Sequence, residues 1–263
     1  MSMSDLICIY RLSDANKNTK LPYANKEACL NNFLCNFHAS TVHLLVDSNG
    51  LSDATYNMCK DLHDTLGFAK FALFGQKNDG LHPHLGSQYE GGSSTKSWKS
   101  GWRYLLELGL DDSQYVLLQE DDYLYLQGAK NIILEGLDRG VDYIAPYLHG
   151  DRFIPASKGG NPYVDDAGSF LTRFCKTNSS FFVQIESTTM TFASSIKTLK
   201  EDENVWKKWT QQEPYPNDHL AFVELTKLGR TIASPVPTIA THCEVQWQSP
   251  LIGTGFSDWN QAI

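Results

Sequence analysis

Three carboxylates, Glu120-Asp121-Asp122, follow directly on the apolar run 115–118. Side by side they repel one another, and that cost is offset when a cation sits among them. In extended backbone, Glu120 and Asp122 point to one side and Asp121 to the other. Two carboxylates converging at a strand end suit a hard, oxygen-seeking cation such as Mg²⁺ or Mn²⁺. A solvated acidic turn is the alternative. Near the C-terminus, His242 and Glu244 in Ala240-Thr241-His242-Cys243-Glu244 offer two further ligands, and imidazole favours Mn²⁺ over Mg²⁺. A lone structural histidine is the other reading of His242. Asp218 stands in Glu213-Pro214-Tyr215-Pro216-Asn217-Asp218-His219, just before a helical pattern, where it can act as a base toward a hydroxyl or cap the helix.

The elements that must position these groups read as follows. Continuous apolar runs at 6–10, 42–46, 69–74, 115–118 and 142–148 predict buried strands. Between them, apolar residues at helical spacing predict helices over 26–37, 53–64, 98–108 and 129–138. This order argues an α/β fold, a single compact domain with a mostly parallel central sheet and helices on both faces. In such a sheet, ligands bind beyond the carboxyl ends of the strands. The first strand delivers Arg11, Ser13 and Asp14 to that rim, the second Asp47, and the fourth the acidic triplet.

The second half is less regular. A long Gly- and Pro-containing loop spans 149–169, a strand covers 180–185, a strand-to-helix step covers 190–200, and a helix covers 219–228. Gly91-Gly92-Ser93-Ser94-Thr95-Lys96 precedes the helix at 98–108. Small residues before a helix N-terminus could receive an anion, with Ser93 and Lys96 as contacts. The P-loop spacing is absent, and a plain N-cap explains Ser93 equally well. His82-Pro83-His84 reads as a loop, and Trp206, Trp209, Trp247 and Trp259 as core or edge packing, with sugar stacking as the alternative.

The segment Tyr115–Tyr125 (YVLLQEDDYLY) resembles the metal-binding strand end of glycosyltransferases with the GT-A fold, whose acidic signature closes a central strand. The resemblance covers about the first 150 residues in order of elements. It implies a nucleotide-sugar-binding half, 1–126, and an acceptor-binding half, 127–263. It further implies Asp122 as a direct metal ligand, with Glu120 on the metal's waters or the ribose and His242 joining the metal or diphosphate. Asp121 would contact the sugar or the turn, and Arg11, Asp14 and Asp47 would hold base and ribose. Asp218 would be the catalytic base of an inverting transfer, with Glu186 and Asp166 in reserve. The expected activity is Mn²⁺- or Mg²⁺-dependent sugar transfer from a nucleotide-diphosphate sugar to a hydroxyl acceptor such as a glycan. A non-catalytic carbohydrate-binding protein and a metal-dependent nucleotidyltransferase are the alternatives.

Composition bounds these readings. The 263 residues carry 22 Lys plus Arg against 30 Asp plus Glu, a net charge of −8. An acidic chain without a basic block cannot grip a nucleic-acid backbone. No apolar stretch reaches the length of a membrane span, and no basic leader precedes the first apolar run. The six cysteines form no CxxC pair and read as buried free thiols of a cytoplasmic protein.

Overall fold

A computed structural model of the chain describes residues 5–13, 21, 23–38, 40–49, 52–65, 69–75, 84–160, 172–244, 246–251 and 253–262. Asp14, His82 and Asp166 lie outside them, as does most of the second half of the loop expected at 149–169. Residues 149–160 of that loop form two short 3-10 turns, Gly150–Phe153 and Ala156–Lys158.

The expected strands and helices of the first half are present: β1 (Leu6–Leu12), α1 (Lys26–Asn36), β2 (Thr41–Asp47), α2 (Asp53–Thr65), β3 (Ala69–Phe74), α3 (Ser94–Glu107), β4 (Tyr115–Glu120) and α4 (Ala129–Asp138). Between β4 and α4 lies a short strand, β5 (Tyr123–Tyr125), which the sequence patterns do not announce. The strand expected over 142–148 contracts to β6 (Tyr143–Ile144). Then come β7 (Phe174–Lys176), β8 (Phe181–Gln184), β9 (Phe192–Ser195), α5 (Ile196–Glu201), α6 (Glu203–Trp209), α7 (Asp218–Lys227), β10 (Ile232–Val236), β11 (Ala240–His242) and α8 (Trp259–Ala262).

One sheet runs through both halves in the order β3-β2-β1-β4-β9-β6-β10-β8-β7. β3, β2, β1 and β4 are parallel neighbours, as are β6 and β10. β9 enters antiparallel between β4 and β6, and β8 runs antiparallel to both β10 and β7. The sheet is thus mostly parallel, with two reversed strands. The reversal of β9 matters for the site: it brings the residues preceding β9 to the rim where β1, β2 and β4 end.

Alternation along β1 sends side chains to two cores, because successive residues of a strand face opposite sides. Leu6, Cys8, Tyr10 and Leu12 pack with Phe33 and Leu34 of α1 and Ile133 and Leu134 of α4. Ile7 and Ile9 pack with Trp98 and Trp102 of α3, Trp206 of α6 and Phe222 of α7. Burying each such side chain contributes about 1.5–3 kcal/mol. On the second face Phe192 stacks on Trp206 at 5.0 Å between ring centroids. Trp206 and Trp259 are buried core residues, and Trp209 donates its indole N–H to Glu224 Oε2 at 2.6 Å.

Cys8, Cys29, Cys59 and Cys243 are buried free thiols, as expected, but Cys35 is exposed and Cys175 half-buried. Cys35 lies on the side of α1 away from Leu30, Phe33 and Leu34, so its apolar neighbours in sequence do not cover it. No helix among the described residues is long and apolar enough to cross a membrane.

Candidate metal centre and active-site cleft

The carboxyl ends of β1, β2 and β4 open into one cleft of about 510 Å³. Arg11, Asp47, Ser93, Glu120, Asp121, Asp122, Asp218, His242 and Glu244 all line it. These residues, distant from one another in sequence, therefore meet at one rim.

The acidic triplet divides three ways. Extended backbone ends at Glu120, and the chain bends at 121–122 before β5, so the expected alternation does not carry through. Glu120 turns toward Arg11, with its Oε1 3.6 Å from Arg11 Nη2, and its Oε2 accepts from the Thr191 hydroxyl at 3.3 Å. Asp121 is buried beside the end of β1. Its Oδ2 accepts the Ser13 N–H at 2.8 Å and lies 3.8 Å from Lys26 Nζ. Asp122 is buried and meets His242, with 2.6 Å between Asp122 Oδ2 and His242 Nε2.

The pairing of β11 with β5 makes that meeting. His242 lies opposite Tyr123, and the Cys243 N–H donates to the Asp122 carbonyl at 2.8 Å. The His242 ring stacks on Tyr123 with centroids 4.7 Å apart. Two residues on, Glu244 returns to the same side. One ligand atom each from Asp122, His242 and Glu244 lies within 4.8 Å of the others. Two carboxylates and an imidazole at that separation fit a divalent cation, with the nitrogen favouring Mn²⁺. Glu120 is not part of this group, because Arg11 and Thr191 hold it elsewhere.

Asp218 opens α7 as its first helical residue. The cap is the preceding Asn217, whose side chain accepts from the Leu220 N–H at 3.1 Å. The capping alternative for Asp218 therefore falls. Its carboxylate accepts its neighbour His219 N–H at 2.7 Å and lies among the acids of the cleft. Burial pushes its pKa up to about 7, and the nearby charge of Glu120 adds to the rise. The His219 N–H and the charge of His242 pull the other way.

The remaining expectations divide. Arg11 is buried in the cleft wall, with its guanidinium carbon 5.3 Å from the centroid of the Trp98 ring and its stem against Gly101. Asp47 is a structural tie. Its Oδ1 accepts from Asn49 N–H at 2.9 Å and its Oδ2 from Gly92 N–H at 2.6 Å. A methyl group on Gly91 would overlap the Asp47 carboxylate, so alanine there forces that side chain to shift.

Three N–H groups of the anion cradle expected at 91–96 are taken within the protein, while Ser93 and Ser94 line the cleft. The Gly92 N–H serves Asp47, the Thr95 N–H donates to the Pro214 carbonyl at 3.1 Å, and the Lys96 N–H to Ser93 Oγ at 3.1 Å. Ser93 also donates its hydroxyl to Glu213 Oε2 at 2.5 Å. Lys96 Nζ lies 3.4 Å from Glu90 and is not among the residues lining the cleft. Of the reserve acids, Glu186 is held by Arg152 at 2.6 Å, outside the cleft lining. Of the histidine pair in the polar loop, His84 accepts the Gly86 N–H at 3.0 Å.

Some lining residues carry no signal in the sequence, Thr189 and Met190 among them. Thr189 and Met190 reach the rim only because β9 is reversed. Tyr215 could have been found as an aromatic between two prolines beside a candidate base.

No protein-family profile and no curated protein matches the chain. Among solved structures, the chain is similar to the nucleoside-diphosphate-sugar pyrophosphorylase of Vibrio cholerae RC9, with a TM-score of 0.50 and 13% identity over 91% of this chain and 96% of that one. Two 4-diphosphocytidyl-2C-methyl-D-erythritol synthases are also similar. The one from Anaerococcus prevotii DSM 20548 has a TM-score of 0.45 and 11% identity over 93% of this chain and 94% of that one. The other has a TM-score of 0.44 and 10% identity over 87% of each chain. None of the three is described as a glycosyltransferase, the family that the acidic strand end resembles. At such identity the likeness establishes the fold: an α/β domain with a mostly parallel sheet, shared with a nucleoside-diphosphate-sugar pyrophosphorylase.

Proposed function

We propose that this chain is a divalent-metal-dependent enzyme that moves the sugar of a nucleotide-diphosphate sugar onto a hydroxyl acceptor. The observation that supports this most is one cleft holding two kinds of acid. Asp122, His242 and Glu244 form a group that could hold a metal, and Asp218, with a pKa raised to about 7, lines the same cleft outside that group. Tuning one carboxylate toward neutrality while others remain ligands is how a site separates base from metal chemistry.

Asp122, His242 and Glu244 would hold a Mn²⁺ or Mg²⁺ ion, which would supply Lewis-acid stabilisation of charge on the departing diphosphate. Ionised Asp218 takes the proton of the acceptor hydroxyl. The acceptor oxygen forms its bond to the anomeric carbon, and the bond from that carbon to the diphosphate breaks, with its electron pair leaving on the diphosphate. A direct displacement of this kind inverts the anomeric centre. Arg11 offsets the charge of Glu120 beside the incoming nucleotide, and Asp47 keeps the 91–93 turn against the end of β2.

Nucleotidyl transfer is the second reading, and the fold shared with a nucleoside-diphosphate-sugar pyrophosphorylase favours it. That chemistry calls for donors around a reacting phosphate. The loop best placed to give them spends three of its N–H groups on Asp47, Pro214 and Ser93.

Product analysis separates the two. The protein is incubated with Mn²⁺ and UDP-, GDP-, CDP- and dTDP-sugars, with and without pyrophosphate. Release of nucleoside diphosphate and free or transferred sugar supports glycosyl transfer. Formation of nucleoside triphosphate and sugar 1-phosphate from added pyrophosphate supports nucleotidyl transfer and overturns the first reading.

A further inference from the structure

We infer that Tyr215 and its flanking prolines seat the acceptor, and that the acceptor is a neutral pyranose; this rests on the glycosyl-transfer reading. Met190, Pro214, Tyr215 and Pro216 give the cleft its apolar lining, and the last three lead directly into Asp218 at the start of α7. A ring that lines the cleft three residues before the base is placed for the molecule that gives up its proton, which is the acceptor and not the nucleotide.

Tyr215 is 69% exposed, while the core aromatics of both sheet faces are buried. Its segment is nevertheless anchored on both sides. The Pro214 carbonyl accepts the Thr95 N–H, the Glu213 carboxylate accepts the Ser93 hydroxyl, and the Asn217 N–H donates to the Trp209 carbonyl at 2.9 Å. Proline on either side fixes two further backbone angles. An exposed ring on a stiff segment at a cleft mouth loses little freedom when a ligand covers it.

Charge selects what covers it. Asp218, Glu120, Asp122 and Glu244 all line the cleft. Arg11 is the one Lys or Arg among the described lining residues, and it faces Glu120. A phosphorylated or carboxylated acceptor would meet net repulsion beside Asp218. A neutral pyranose lays its C–H face on the phenol ring and turns a hydroxyl toward the carboxylate.

The test reads binding by saturation-transfer NMR on the full chain with Mn²⁺ and a nucleoside diphosphate. The probes are methyl glycosides of galactose, glucose, mannose and N-acetylglucosamine, with methyl glucuronide and glucose 6-phosphate as charged arms. At least one neutral glycoside binds. Tyr215→Ala weakens it about tenfold, and Tyr215→Phe stays within about twofold of the parent. Nucleotide affinity and the melting temperature do not change in Tyr215→Ala, which marks the variant as folded. The inference is overturned if no neutral glycoside binds, if a charged probe binds better, or if Tyr215→Ala weakens the nucleotide and spares the glycoside. If neutral glycosides bind through Tyr215 while no nucleotide binds with metal, the glycosyl-transfer reading fails and the sugar seat stands.

Discussion

His242 Nε2 lies 2.6 Å from Asp122 Oδ2 although 120 positions separate the two residues. The contact joins the acidic end of β4 to the last strand of the chain. Two short strands make it, with Tyr123 opposite His242 in register. If this pair and Glu244 hold a cation, Mn²⁺ raises the melting temperature of the wild-type protein, because a ligand that binds only the folded state stabilises it. Asp122→Asn and His242→Ala each abolish that Mn²⁺ shift, and Asp202→Asn, far from the cleft, retains it. Differential scanning fluorimetry with and without 1 mM-scale metal checks this. An undiminished shift in both cleft variants would remove the metal assignment.

Asp218 sets a pH dependence. Its pKa is raised to about 7, so the ionised, basic form gains population as pH rises through 7. On the glycosyl-transfer reading, transfer to the acceptor therefore increases between pH 6 and 8, and Asp218→Asn reduces it by about 10²–10⁴-fold. For stability the sign is opposite. The folded state holds this proton more tightly than the unfolded chain, so the group's contribution is present below about pH 4 and lost as pH climbs through 7. Asp218→Asn, which removes the buried charge, melts higher than wild type at pH 8 by roughly 2 °C or more. A variant both fully active and no more stable at pH 8 contradicts the assignment.

Gly91 tests the tie between the second strand and the loop before α3. An alanine methyl there would overlap the Asp47 carboxylate, which accepts the Gly92 N–H. Gly91→Ala therefore costs about 1–3 kcal/mol, the range for overpacking a filled site. Urea titration measures the loss. Glycine at position 109, where an added methyl would meet nothing within 4 Å, makes a contrast for contact though not for backbone angle.

Asp202 separates structural acids from functional ones. It is buried, accepts the Tyr143 hydroxyl at 2.7 Å, and takes Arg230 Nε at 2.8 Å and Nη2 at 2.9 Å. Asp202→Ala leaves the buried Tyr143 hydroxyl without its acceptor while Arg230 keeps Glu201 and Asp142, so it destabilises by about 1–3 kcal/mol. Its metal-induced shift stays, since Asp202 does not line the cleft. Denaturation midpoint and Mn²⁺ shift, read on one sample, test both halves of the statement.

Local chemistry in the sequence determined a good part of this protein. Apolar runs mark β1, β2 and β4 because strands covered on both faces must be apolar throughout, and the acids that end β4 stand out against such a run. Asn25 and Ser93 mark helix starts by the same local logic, each accepting an N–H three residues on. Tertiary structure decided what those acids face. Alternation would place Glu120 with Asp122, yet a bend gives Glu120 to Arg11 and Asp122 to His242. That the cap of α7 falls to Asn217 and not to Asp218 was likewise decided by the folded structure. The reversed β9, which carries Thr189 and Met190 to the rim, and the β5–β11 pair, which brings His242 to Asp122, depend on pairings between distant segments. Three-residue strands carry too little pattern to reveal their partners, because strand pairing is a property of the partner's register and of neither segment alone.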